Sequence, residues 1–230
     1  MRSLSQSIAA RDARRRARPA GMRYGALTWP DTGREYVADV LAHAVWLGFA
    51  VSVLVHMAGQ AEPMVPMVTY GACLVALVLA STANNMAPVG RVRDVLSRVD
   101  RAVIYPFIAA TCGAFLALGE FTAWKAMVLA AIWAAALVGV CLKVGFPGRF
   151  SRFGIALYLG LGWVAVLGIA DVVPLLGWSG TALLFAGGLI YSAGVPVYLN
   201  DALPYRAFLW HVMCLGAGIC HFAAIVIAMR

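Results

Sequence analysis

Seven long apolar stretches, at residues 36–58, 63–88, 101–119, 123–142, 153–172, 174–199 and 207–229, take up nearly all of the chain beyond its first 34 residues. Each approaches or exceeds the ~18–20 residues that a helix rising ~1.5 Å per residue needs to cross about 30 Å of hydrocarbon. A water-exposed globule is excluded on composition. Hydrophobic residues make up 63% of the chain and charged ones 12%, against about 45–50% and about 25% in an ordinary soluble domain. The stretches are apolar all round and too long for the alternating segments of roughly ten residues that build a membrane β-barrel. The expected fold is therefore an all-α membrane protein, a bundle of seven transmembrane helices. The least distinct boundary lies between the fifth and sixth stretches, where Asp171 and Pro174 alone interrupt a run that continues through Leu175, Leu176 and Trp178. A tight turn is expected there.

The basic residues set the expected orientation. Arg2, Arg11, Arg14, Arg15, Arg16, Arg18, Arg23 and Arg34 precede the first stretch, and Arg91, Arg93, Arg98 and Arg101 separate the second from the third. Lys143, Arg149 and Arg152 follow the fourth, and Arg206 precedes the seventh. These alternate connections hold 16 of the 18 Lys and Arg residues, leaving Lys125 and Arg230 for the opposite face. The split predicts a cytoplasmic N-terminus and an outside C-terminus, which requires an odd number of spans, in a multi-pass protein of the inner cell membrane. It also accounts for the net charge of +8 without nucleic acid as a partner. Residues 1–34 lack the apolar core of a cleavable signal peptide and read as a basic cytoplasmic tail ahead of a transmembrane domain at 35–230. A basic segment lying on anionic lipid is the alternative, each Lys or Arg gaining ~1 kcal/mol there. Cys73, Cys112, Cys141, Cys214 and Cys220 all fall inside apolar stretches. Their odd number and wide spacing argue against a disulfide framework or a thiolate metal site and for small buried side chains.

Polar residues inside such stretches are costly, and where they persist they usually mark a site. Threaded through a bilayer, Glu35, Asp39, His43, Ser81, Asn85, Asp100 and His211 all land at one membrane face. Glu35, Asp39 and His43 recur at i, i+4 and i+8 and share one face of the first helix. Ser81 and Asn85 are one turn apart near the end of the second, Asp100 opens the third, and His211 lies about one turn inside the seventh. Asp100 has a plainer reading as a helix cap, favoured by about 0.3–1 kcal/mol. His211, beside Trp210, would also be unremarkable as a satisfied interfacial histidine. His221 is about 15 Å deeper on the same helix, which makes it a packing residue, and His56 stands apart at the other end of the first span.

The segments Glu35 to His43 (EYVADVLAH), Ser81 to Pro88 (STANNMAP), Arg98 to Ala110 (RVDRAVIYPFIAA), Gly187 to Tyr198 (GGLIYSAGVPVY) and Leu203 to Phe222 (LPYRAFLWHVMCLGAGICHF) resemble the hemolysin III branch of the progestin and adipoQ receptor superfamily. The resemblance runs through nearly all of residues 35–228. It implies a seven-helix bundle with an internal cavity and, as in the adiponectin-receptor members, a zinc ion near the cytoplasmic side. The family's zinc is held by a histidine of the second helix and two, at i and i+4, of the seventh, with a serine and an aspartate nearby. Such a centre suits a Lewis-acid hydrolase, and amide hydrolysis of ceramide-like lipids is the implied activity. In this sequence the three ligand positions hold Asn85, Ala207 and His211, while Ser81 and Asp100 match. Zinc would therefore need replacement ligands, for which His43 and Asp39 are the candidates.

Three functions follow from these readings. In the first, a membrane-embedded lipid hydrolase uses Asp100 and His211 as acid and base, with Ser81 and Asn85 donating to a carbonyl and Glu35, Asp39 and His43 completing the pocket. Ser81 could act as nucleophile if it lies within hydrogen-bond reach of His211. The second is a non-enzymatic, receptor-like or membrane-homeostasis protein that binds lipid with the same residues. The third is a channel-forming cytolysin, which lacks a polar pathway because the outer halves of the stretches carry almost no ionisable side chains. Membrane lipids are the expected partners.

Overall fold

The computed structural model describes residues 33–60, 64–88, 90–146, 151–170, 172–200 and 203–230, which form seven α-helices and no strand. They are α1 (Gly33–Ala58), α2 (Val65–Met86), α3 (Arg91–Leu116), α4 (Ala123–Gly145), α5 (Ser151–Val164), α6 (Val173–Leu199) and α7 (Arg206–Ala228), with a 3-10 turn at Ala165–Gly168. All but α5 are long and apolar enough to cross a membrane. The expected basic tail lies outside the described residues up to residue 32, and its last two residues, Gly33 and Arg34, belong to α1.

Three elements depart from the apolar-run reading. The fifth is shorter: α5 has 14 residues, about 21 Å at ~1.5 Å per residue, before the chain tightens into the 3-10 turn. The expected turn before the sixth span is present, with the Val172 N–H donating to the Ile169 carbonyl at 2.9 Å, though Asp171 itself lies outside the described residues. Pro174 sits in the first turn of α6, where its missing N–H costs nothing. Three residues on, α6 breaks at Gly177, whose φ of 59° and ψ of −171° are a conformation that glycine adopts without penalty. The third helix is longer: α3 begins at Arg91, so Asp100 is its tenth residue and not its cap.

Helices α1 to α4 pack in sequence, α6 lies along α7, and α7 closes back on α1. Gly71 of α2 lets the α1 backbone come close, since a Cβ there would stand 2.8 Å from the Leu54 Cα, the kind of approach that drives helix association in lipid. Ala50, Val53, Met57, Met67, Tyr70 and Leu74 fill that interface, and Phe107 of α3 stacks on Tyr70. Val37, Leu41 and Val45 on α1 and Leu137 and Val138 on α4 face outward, as a surface in contact with lipid requires. Lys125, at the start of α4, is 1% exposed, and its ammonium donates to the carbonyls of Leu118 (2.9 Å) and Glu120 (3.0 Å). Helix α6 meets α7 along its length but touches α5 only lightly, which leaves space between α3, α5 and α6.

Candidate functional site

That space is a cavity of about 330 Å³. Ile104 and Ile108 of α3, Leu159 of α5 and Leu184 and Phe185 of α6 supply apolar walls, and at one end Ser81, Asp100 and His211 form a polar floor. The arrangement follows from where the helices begin and end. Ser81 is in the penultimate turn of α2, His211 is six residues into α7, and Asp100 is nearly three turns into α3. Such a pocket, apolar with a few converging polar groups, is the common form of a site for a small molecule or lipid.

Behind the floor stands a second layer. Glu35, Asp39, His43 and Asn85 are all buried, yet none of them lines the cavity. Glu35 accepts a hydrogen bond from the Tyr205 backbone N–H at 3.1 Å, tying the start of α1 to the start of α7. Asp39 holds both histidines. Its carboxylate Oδ1 is 2.6 Å from His211 Nδ1, and its backbone carbonyl is 2.8 Å from His43 Nδ1. A carbonyl only accepts, so His43 Nδ1 carries a hydrogen, and a carboxylate partner assigns the hydrogen of His211 to Nδ1 in the same way. Both Nε2 atoms then face Ser81, whose hydroxyl is 3.3 Å from His43 Nε2 and 3.4 Å from His211 Nε2. Asn85 Nδ2 donates to that hydroxyl at 3.3 Å and to the Ser81 carbonyl at 2.9 Å. The imidazoles of His43 and His211 meet edge to face with centroids 4.2 Å apart.

Sequence reasoning placed Ser81, Asp100 and His211 at one depth, and the structure puts all three on one cavity wall. It singled out Asn85 but missed its neighbour Asn84, whose Nδ2 donates to Asp100 Oδ2 at 2.9 Å. The signal was available: Asn84 is i+3 from Ser81, so it shares that helix face with Asn85 at i+4. Trp46 was also missed. It lines the cavity beside His211, with ring centroids 5.9 Å apart, and its buried indole N–H has no acceptor among the described residues. His221 lies on the cavity at greater depth, with Nε2 3.2 Å from the Leu184 carbonyl.

Asp39, His43 and His211 form a cluster whose ligand atoms lie within 4.8 Å of one another, a grouping that could hold a metal ion. It differs from the set implied by the resemblance. Asn85 and Ala207 supply no imidazole, and Asn85 is engaged with Ser81.

The Haemolysin-III related family matches residues 38–222. The chain is 28% identical to Hemolysin-3 homolog of Bacillus subtilis (strain 168) over 202 residues, covering 85% of this chain and 94% of that protein. It is 27% identical to Hemolysin-3 of Bacillus cereus, over 84% and 91%. Monocyte to macrophage differentiation factor of Homo sapiens is 27% identical over 90% of this chain and 87% of its own length. No solved structure matches the chain.

Proposed function

The chain belongs to the Haemolysin-III related family, and from that membership and the geometry of its cavity we propose that it is a multi-pass inner-membrane protein that binds a lipid and hydrolyses a carbonyl bond near the lipid's polar head. The observation that carries this reading is the cavity itself: apolar walls suited to an acyl chain lead to a floor where Ser81, Asp100 and His211 converge. In this reading His211 is the base, held in one orientation by Asp39, and Asp100 is the acidic group facing the same lipid head. Asn85 is occupied by Ser81, so Ser81 and the Trp46 N–H are the donors available to a substrate carbonyl. The substrate class is a lipid amide of the ceramide-like kind that the resemblance implies, and the floor faces the cytoplasm.

The test is release of fatty acid from a ceramide-like amide by purified protein in liposomes. Asp100→Asn and His211→Ala are expected to abolish release while membrane insertion is retained. Unaltered turnover in both variants would remove the catalytic reading and leave lipid binding alone. The channel alternative has less behind it. At the far end of the bundle the one buried charge among the described residues is Lys125, and its ammonium is engaged by two carbonyls.

A second reading keeps a metal, favoured by the cluster of Asp39, His43 and His211. A divalent cation held there would supply Lewis-acid activation of water. His43 distinguishes this reading, because it is no ligand position in the resemblance. Metal analysis of purified protein should then find stoichiometric zinc in the wild type and none in His43→Ala. Equal metal content in both, or none in the wild type, would remove it.

A further inference from the structure

We propose that Ser81 is a nucleophile, activated by His211 and positioned through Asp39, so that this chain cleaves its lipid by way of an acyl-serine and not by metal-activated water. The inference rests on the hydrolase reading above and concerns how that reaction is carried out.

The contacts run in the order a serine hydrolase needs. Asp39 Oδ1 is 2.6 Å from His211 Nδ1, the length of a charge-assisted bond. That contact leaves Nε2 as the lone-pair nitrogen, 3.4 Å from Ser81 Oγ, within the looser range of a site without substrate. The layering agrees with these roles: Ser81 and His211 face the cavity, and Asp39 stands behind them. Catalytic zinc needs a coordination position open to substrate, whereas two of the three residues in the cluster, Asp39 and His43, do not reach the cavity wall. Asp39 already gives its carboxylate to His211 and its carbonyl to His43. Two further N–H groups complete the arrangement. Asn85 Nδ2 holds the Ser81 hydroxyl at 3.3 Å, and the Trp46 N–H, buried on the cavity wall without an acceptor among the described residues, is the donor for an oxyanion.

In the first half-reaction Ser81 Oγ adds to the amide carbonyl carbon and its proton passes to His211 Nε2. The carbon–nitrogen bond then breaks, His211 returns the proton to the leaving amine, and an ester joins the acyl group to Ser81. In the second half, water adds to that ester and gives a proton to His211. The carbon–Oγ bond breaks, and the proton goes back to Ser81 as the fatty acid leaves. No redox partner or further reactant is needed.

A fluorophosphonate, which phosphonylates nucleophilic serines, reads this directly. Full-length protein in nanodiscs should form an adduct that peptide mass spectrometry places on Ser81, at a rate unaffected by EDTA. His211→Ala and Asp39→Asn should each slow labelling by about 100-fold or more, with Asp39→Glu recovering part of the rate. His43→Ala should lose less than tenfold, and Trp46→Phe should slow lipid turnover more than labelling. The wild-type experiment needs no variant to fold. Lipid hydrolysis without a Ser81 adduct, or hydrolysis that persists in Ser81→Ala, would overturn the nucleophile while leaving the hydrolase reading standing. Labelling abolished by EDTA and restored by zinc would overturn it in favour of the metal. A Ser81 adduct without cleavage of any lipid amide supports the nucleophile and counts against the substrate class alone.

Discussion

Asp100 is held by Asn84, whose amide donates at 2.9 Å and whose own side chain is 1% exposed. Removing a donor from a partly buried carboxylate costs about 1–3 kcal/mol, so Asn84→Ala should lower the midpoint of thermal unfolding in nanodiscs. Asn84→Asp should lower it further at neutral pH, because it sets a second carboxylate against the first. Equal midpoints for the wild type and both variants would show that the contact carries no stability. Depth in an apolar run revealed where Ser81, Asp100 and His211 sit, because a helix converts residue number into height. It gave no direction around the helix axis. That is why Glu35, Asp39, His43 and Asn85 read as pocket residues although they lie behind the floor, and why Trp46 went unread. The Asp39 contact with His211 joins residues 172 apart in sequence, and no local spacing encodes it.

At the scale of elements, hydropathy registers what lies in hydrocarbon and overlooks helix that is mixed in character. The first ten residues of α3 carry Arg91, Arg93, Asp94, Arg98 and Asp100 and so read as a connection. Their apolar residues nonetheless recur at helical spacing, with Val92, Val95 and Val99 all turned outward and Arg93 and Ser97 turned in. The extension matters for the site, because it changes Asp100 from a cap into a residue presented by the middle of a helix. At the other extreme, the apolar run of 153–172 suggested a full span where the chain makes 14 residues of α-helix and a 3-10 turn. Apolar residues permit a helix in lipid but do not fix its length. Short α5 and broken α6 meet at a thin seam, where the Trp163 N–H donates to Ser192 Oγ at 3.2 Å and the Trp163 ring lies 6.3 Å from Phe185. Both rings line the cavity and are partly exposed.

For the whole molecule, the polar floor and the basic residues share one end. Arg34 at the start of α1, Arg91, Arg93, Arg98 and Arg101 in α3, Lys143 at the end of α4 and Arg206 at the start of α7 lie there, against Lys125 and Arg230 at the other. Two cations of that end, Arg101 and Lys143, line the cavity itself, the latter 5.6 Å from the Tyr158 ring centroid. Because Lys and Arg are retained on the cytoplasmic side during insertion, this asymmetry predicts more than topology. On the proposed reading it also sets the face on which the floor opens, and so the compartment that would supply water to it and receive a polar product. A C-terminal tag should accordingly be accessible to an impermeant label in intact cells, and an N-terminal tag only after permeabilisation. The reverse labelling would turn the floor outward and set the cytoplasmic placement aside. The helix packing, which owes nothing to which way the bundle faces, would be untouched by that result.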